Sequence, residues 1–248
     1  MGGQAKFERV VAAEYERTHA GYAPAAVEWL DAQVGLREEV IVDLAAGTGQ
    51  LTRLLKKVSS RVVAVEPFEN MVAVLTEVIP GVSAVRGTAE EIPLADASAH
   101  CVTVAGSFHL FAIDEAAGEI RRVLRPGGAL ALLWKEYDMD DPIQVALDRI
   151  ARPYLDALDP RTESGPSWPD ALSKTGLFER TSERRFVHDQ VVEADDLASI
   201  LTTATEAVWL PQERLRELVA DVGGFVKDLP KRVTLPGTTH VFVYSKLS

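Results

Sequence analysis

One stretch constrains the fold of this 248-residue chain more than any other. It is the run Val40-Ile41-Val42-Asp43-Leu44-Ala45, followed by Ala46-Gly47-Thr48-Gly49-Gln50-Leu51-Thr52. A short β-branched run without alternation reads as a strand buried on both faces. Leu51, Leu54, Leu55 and Val58 then recur at helical spacing. A buried strand that turns through glycines into a helix belongs to a crossover between parallel strands, which commits the chain to an α/β architecture. Further runs agree: Val62–Glu66, Val82–Thr88, His100–Ala105 and Ala129–Trp134 read as strands two to five. Helical faces lie between them, on Met71, Val74, Leu75 and Val78, and on Ile120, Val123 and Leu124. Asp114 is placed to cap the latter helix, and Pro126-Gly127-Gly128 ends it.

Either side of this block the texture differs. Phe7, Val10, Val11 and Tyr15 share a helical face, and a second helix follows Pro24. After Trp134 prolines crowd in, at 142, 153, 160, 166 and 169. Asp141-Pro142 reads as an N-cap followed by an N1 proline. Glu183–Val192 is a strand candidate, and Asp195 to about Val226 is helical with a break at Pro211. Thr239–Ser245 is the last strand, with Arg232–Leu235 as its hairpin partner around Pro236-Gly237. The expected division is 1–37 as an N-terminal helical lid, 38–136 as a Rossmann-like half, and 137–248 as a variable region. That last region carries a helical lid insertion and the final strands.

The turn itself carries chemistry. Glycine takes positive φ and lets a ligand approach the backbone. Seventeen residues past Gly49, at the end of the second strand, stands Glu66. An acid there accepts hydrogen bonds from both hydroxyls of a ribose. A dinucleotide fingerprint wants Gly or Ala where Thr52 stands, and a phosphate loop wants Lys where Gln50 stands. Both of those patterns serve pyrophosphate, and neither fits this turn well.

Val42–Thr52, Val62–Met71, Gly87–Leu94, Ser107-Phe108-His109 and Arg122–Gly128 occur in this order. In them the chain resembles the class I S-adenosylmethionine-dependent methyltransferases, in particular the small-molecule, trans-aconitate-type enzymes. The resemblance implies a Rossmann-like fold of seven strands, mostly parallel, with the last pair antiparallel. It implies S-adenosylmethionine as cofactor and S-adenosylhomocysteine as product. It would place Gly47 and Gly49 under the methionine part, with Ala45 at the first small position and Thr48 between the glycines. Asp43 would orient the loop, and Glu66, followed by Pro67, would hold the ribose. Met71 would pack on adenine, Thr88, Ala89 and Glu90 would line its edge, and Ser107 would lie near the transferred methyl. His109, His19 and Tyr22 are the candidates for catalysis. His100, His188 and His240 read as strand or surface positions without a role.

Composition narrows the acceptor. Twenty-six Lys and Arg against 37 Asp and Glu leave a net charge of −11, which disfavours nucleic acid or an anionic membrane as partner. The single cysteine, Cys101, excludes an internal disulfide and a cysteine-rich zinc site. No run approaches the ~18 apolar residues of a spanning helix, and the first residues are too polar for a signal peptide, which predicts a cytoplasmic protein. Asp138, Asp140 and Asp141 read as a solvated capping loop, so no metal is expected. Strand four ends in Gly106-Ser107-Phe108-His109, without the Asn/Asp-Pro-Pro-Tyr type of motif that serves amide or base amines. The expected reaction is methyl transfer to oxygen, nitrogen or carbon of a small apolar metabolite, such as a natural-product tailoring step. Trp168, Phe178, Phe186 and Trp209 read as plain core, with the walls of an apolar acceptor pocket as the alternative. The rivals are a cyclase on the same fold that binds the cofactor without consuming it, and a non-catalytic binding protein. Nothing in the sequence fixes the oligomeric state.

Overall fold

The computed structural model describes residues 12–19, 21–155, 168–203 and 210–247. The chain divides into two compact units. The larger comprises 21–136, 166–187 and 239–248, and the smaller comprises 1–20, 137–165 and 188–238. Contacts therefore place residues 21–37 with the sheet, where the sequence grouped them with the N-terminal segment. Trp209 and the first apolar face (Phe7, Val10, Val11) lie outside the described residues.

The larger unit is built on seven strands. β1 (Ile41–Leu44), β2 (Val62–Val65), β3 (Ser83–Val85), β4 (Ala99–Ala105), β5 (Leu124–Tyr137), β6 (Phe178–Val187) and β9 (Gly237–Lys246) lie in the order β3-β2-β1-β4-β5-β9-β6. β1 pairs in parallel with both β2 and β4, Leu44 opposite Val65 and Val104. The sheet is mostly parallel with one antiparallel strand. Strand order reverses beside β1, so a crevice opens there at the carboxyl ends of the strands, where open α/β sheets bind ligands.

The two-residue period of the strands sorts the core onto two faces. Val42, Leu44, Val102, Val104, Leu130, Leu132, Phe242 and Tyr244 pack on one side, with α5 (Ile113–Val123) and α7 (Trp168–Lys174). Ile41, Cys101, Ala129, Ala131, Leu133, Val241 and Val243 pack on the other, with α2 (Pro24–Val34) and α3 (Thr52–Leu55). Phe178 is buried in the first face, and Phe186 packs in the second against Trp29, ring centroids 5.9 Å apart. Both are core, not free pocket wall. α4 (Glu69–Val78) follows β2 and buries Met71 and Leu75.

Several family-like motifs turn out to hold the fold. Arg122 donates to the carbonyls of Ile92 and Leu94, each at 2.8 Å, and to Asp96 and Glu119. It clasps the 92–96 segment to α5. Arg125 pairs with Glu39 at 2.8 Å, and a Cβ on Gly128 would stand 2.9 Å from the His100 carbonyl. Arg122→Met removes these bonds from a side chain only 32% exposed. The expected cost is about 1–3 kcal/mol, discounted for partial solvation, or roughly 2–10 °C of melting temperature. Thermal denaturation measures it, and an unchanged midpoint would refute the clasp.

The structure corrects three local expectations. α5 is capped at Ala112 without a side-chain bond from its own chain start, and Asp114 sits inside the first turn. Glu90 supplies the acceptor instead, taking the Ala112 N–H at 3.0 Å. Glu183–Val192 is not one strand: β6 ends at Val187, and β7 (Gln190–Glu193) belongs to a separate two-stranded sheet. β8 (Arg232–Leu235) pairs antiparallel with β7, not with β9. Proline at 236 offers no N–H to continue a tight ladder around that corner.

That small sheet belongs to the smaller unit, with α1 (Ala12–Thr18), α6 (Pro142–Leu155), α8 (Leu197–Thr202) and α9 (Gln212–Val226). Leu147, Tyr154, Leu197, Leu218, Val222, Val233 and Leu235 form its own core. Asp141 caps α6 as the sequence predicts, accepting the N–H groups of Ile143 and Gln144 at 3.0 Å. Asp138 accepts from the Asp140 N–H at 2.9 Å, so this acidic loop is spent on its own turns. Among the described residues no three acids, histidines or cysteines gather as a metal set. Nor is any described helix long and apolar enough to cross a membrane.

Candidate functional site

The carboxyl end of β1 passes into a strained turn. Ala45 has φ 55°, Gly47 φ 57° and Gly49 φ 90°. The two glycines take positive φ freely, whereas Ala45 is held against its preference, and such residues gather at functional sites. Two buried carboxylates hold it. Asp43, 1% exposed, accepts the Thr52 hydroxyl at 2.6 Å and the Thr103 hydroxyl at 2.9 Å. Thr52 is the residue that departs from the dinucleotide pattern, and here it ties the helix start to the strand. Burial raises the Asp43 carboxyl to about 6, and its hydrogen bonds oppose that rise.

Glu66, 4% exposed, holds the turn from β2. One carboxylate oxygen accepts the Gly47 N–H at 2.9 Å, and the other accepts the Phe68 N–H at 3.1 Å. Each oxygen keeps a second lone pair for another donor. Burial pushes this carboxyl up to about 7, against the two backbone bonds. A ribose diol offers two hydroxyl donors, so this acid fits the end of a nucleoside.

The two glycines differ in role. A Cβ on Gly47 would meet nothing within 4 Å, so its face is open. A Cβ on Gly49 would stand 2.6 Å from Ile79 Cδ1 and 3.1 Å from Leu75 Cγ. Gly49 is thus glycine because α4 and the residue after it pack on the turn. Gly47 alone presents a bare backbone to a ligand. Thr48 between them is buried.

The other predicted cofactor contacts spread around this crevice. Met71 is 1% exposed on α4 and Ala89 4% exposed. Thr88 and Glu90 are exposed. The Thr88 hydroxyl accepts the Glu91 N–H at 3.2 Å, and Glu90 is engaged at Ala112. The Pro67 carbonyl receives Arg86 at 3.0 Å. Ser107, after β4, donates its hydroxyl to the Ala105 carbonyl at 3.2 Å.

Tyr22 is the catalytic candidate whose segment touches the turn. Gly21 stands against the Gln50 carbonyl, 3.7 Å from where its Cβ would be. The Tyr22 hydroxyl lies 3.2 Å from the Cβ position of Gly106, at the end of β4. Ala23 N–H donates to Thr239 at 3.0 Å, fixing the segment to β9. His109 sits exposed on a one-turn helix, Phe108–Leu110, its ring edge on Trp134 with centroids 5.3 Å apart. His19 belongs to the smaller unit, stacked on Tyr15 at 4.1 Å with Thr18 and Thr203 hydroxyls at Nδ1.

Sequence reasoning passed over Lys135, near the end of β5, and gave His240, on β9, no role. Lys135 places its ammonium 5.1 Å from the centroid of the Tyr22 ring, and burial lowers it to about 8. His240, read as a strand position without a role, is 4% exposed; its Nδ1 lies 3.0 Å from Glu136, which also holds Arg185 at 2.9 Å. The available signal was alternation: past Leu133 the strand still points Trp134 to one face and Lys135 to the other. His100, by contrast, bonds the Val34 carbonyl at 2.7 Å through Nε2 and is structural, as the sequence suggests.

Comparison with known proteins identifies the family and the fold. Residues 42–132 match a family described as Methyltransferase domain. An uncharacterized methyltransferase of Schizosaccharomyces pombe is 30% identical over 225 residues, covering 88% of this chain and 86% of that one. An uncharacterized methyltransferase of Mycobacterium tuberculosis is 44% identical over 124 residues, half of each chain. Among solved structures, a protein of Anaeromyxobacter dehalogenans described as a type II methyltransferase superposes with TM-score 0.64. It has 22% identity and covers 92% of this chain and 97% of that one.

Proposed function

Since the chain belongs to the methyltransferase family, we propose that it transfers the methyl group of S-adenosylmethionine to a small-molecule acceptor. Glu66 and the Gly47 turn hold the cofactor in this reading. The observation that carries it is the pairing of a buried carboxylate with the bare, open backbone of Gly47 at the switch point of the sheet. Bound, the cofactor supplies an activated methyl group with its leaving group built in. What remains for the protein is alignment, exclusion of water and disposal of a proton where the acceptor carries one. Glu66 fixes the ribose, Asp43 keeps the turn in shape through Thr52 and Thr103, and Tyr22 stands at the end of β4. His109 is the proposed proton acceptor, at the edge beyond Ser107. The net charge of −11 supports a small-molecule acceptor over nucleic acid. The family favours methyl transfer over the cyclase on the same fold.

The test uses S-adenosylmethionine with a deuterated methyl group and a metabolite extract. One S-adenosylhomocysteine formed for each labelled product supports the proposal. A product formed over many turnovers without S-adenosylhomocysteine refutes it. His109→Ala should then slow transfer about 10²–10⁴-fold if the ring takes a proton. Near-normal turnover with a lower melting temperature would assign it to packing.

Binding should also depend on pH in a set direction. Ribose hydroxyls donate to an ionised carboxylate, so ligand favours the deprotonated form of Glu66. Below about pH 7 the free protein holds a proton there that must leave on binding. Affinity for S-adenosylhomocysteine should therefore rise with pH up to about 7, by at most about tenfold per unit, and flatten above. Folding stability runs the other way. Both buried acids have pKa values raised above their unfolded values, so the ligand-free protein loses their stabilising protons as pH rises through about 6 to 7. The thermal shift given by ligand should widen from pH 6 to about 7 and level off above it. Calorimetry in buffers of different ionisation enthalpy measures the released proton, and no release at pH 6 contradicts the assignment.

A further inference from the structure

We propose that Lys135 binds the amino-acid carboxylate of the cofactor, at the opposite end from the ribose, an inference that rests on the function proposed above. The strands lie in the order β2-β1-β4-β5. A ligand whose ribose is held at Glu66 on the end of β2 and whose middle crosses the Gly47 turn at the end of β1 would carry its tail toward the ends of β4 and β5. Three contacts join that path. Gly21 lies on the Gln50 carbonyl of the turn, the Tyr22 hydroxyl lies at Gly106 after β4, and the Lys135 ammonium stands over the Tyr22 ring.

The faces of the strands agree. Ala129, Ala131 and Leu133 of β5 point to the α2 side of the sheet, so Lys135, two residues on, points there too. Asp43, Thr52 and Thr103 lie on this same side, bonded to one another. The two carboxylates beside the turn, Asp43 and Glu66, are of the wrong sign for an anionic tail. Arg53, the next cation in sequence, turns its Nε to the Gly49 carbonyl at 3.4 Å. Burial lowers the Lys135 ammonium to about 8, and an anion arriving with the ligand would favour its charged form. Its cation–π contact with Tyr22 holds it in place meanwhile.

The experiment is a binding cycle by calorimetry, with S-adenosylhomocysteine and its decarboxylated analogue as probes. Each is measured on the full-length protein and on Lys135→Met, Lys135→Gln and Lys135→Arg, with melting temperatures alongside. The protein should prefer S-adenosylhomocysteine to the analogue by about 10- to 150-fold, the range of a charge-assisted hydrogen bond. Lys135→Met and Lys135→Gln should lose that preference while binding the analogue as before, and Lys135→Arg should keep most of it. Equal weakening of both ligands would make Lys135 a structural residue and overturn the inference. So would a preference that survives in folded Lys135→Met or Lys135→Gln, including the case where Lys135 serves a carboxylate on the acceptor. If the two neutral variants do not fold, absence of a preference in the unmodified protein still overturns it. Failure of the unmodified protein to bind either probe would refute the proposed function itself, and this inference with it.

Discussion

Gly49→Val is expected to unfold the protein's turn rather than merely block a ligand. The added side chain meets Ile79 Cδ1 and Leu75 Cγ, at 2.6 and 3.1 Å from its first carbon, and must adopt φ 90°. Overpacking costs typically 1–3 kcal/mol, and left-handed strain on a β-branched residue adds about 1–3 kcal/mol. At about 2–4 °C per kcal/mol for a chain of this size, the melting temperature should fall by roughly 4–24 °C. Gly47→Ala is the contrast. Its Cβ enters open space, so only about 1–2 kcal/mol of backbone strain is expected. Yet the methyl group stands on the face proposed for the cofactor, and affinity for S-adenosylhomocysteine should drop. Differential scanning calorimetry and binding on the same samples separate the two. A stable Gly49→Val, or Gly47→Ala with full affinity, would reverse the roles given to these glycines.

Glu66→Ala should have the largest effect on binding. Two losses coincide. The ribose loses an ionised acceptor, worth about 1.5–3 kcal/mol per hydrogen bond, or 10- to 150-fold in affinity for each. The Gly47 and Phe68 N–H groups also lose their partner. Two ribose bonds together predict at least about 100-fold weaker binding of S-adenosylhomocysteine. Circular dichroism confirms the fold, and calorimetry reads the affinity. If the carboxylate serves only to brace the turn, the folded fraction will bind nearly as before and only the melting temperature will move.

These expectations show which parts of the molecule a sequence can express. The strands between Val40 and Trp134 announce themselves because burial on both faces leaves no polar alternation to confuse. Asp43, Gly47 and Glu66 are legible because strand ends and glycines fix where the backbone turns. The division of labour between Gly47 and Gly49 is not, since it depends on where Ile79 and Leu75 return to pack. Glu183–Val192 misled for a related reason. Its residues suit a strand throughout, and only the departure of the chain at His188 shows that two sheets share the run. Lys135 and His240 escaped notice because a polar residue that continues a strand's alternation looks like any solvent-facing position. Their meaning comes from Tyr22, Glu136 and Arg185, each distant along the chain or on another strand.

The corner where β6 ends and β9 begins has a consequence for how such a protein can change. His188 N–H donates to the Gly237 carbonyl at 2.8 Å, so the chain leaves the large sheet and comes back at the same spot. Asp138 N–H, just past β5, donates to Pro236 next door at 3.2 Å. A segment whose two ends are already clasped is a cassette. Lengthening it adds little closure entropy, about 0.6 kcal/mol per doubling. Added length is therefore tolerated at the exposed turns of this excursion, while its buried side chains are not interchangeable: Leu197, Leu218 and Val233 share one core with Leu147 and Tyr154 of α6, which lie outside the clasp.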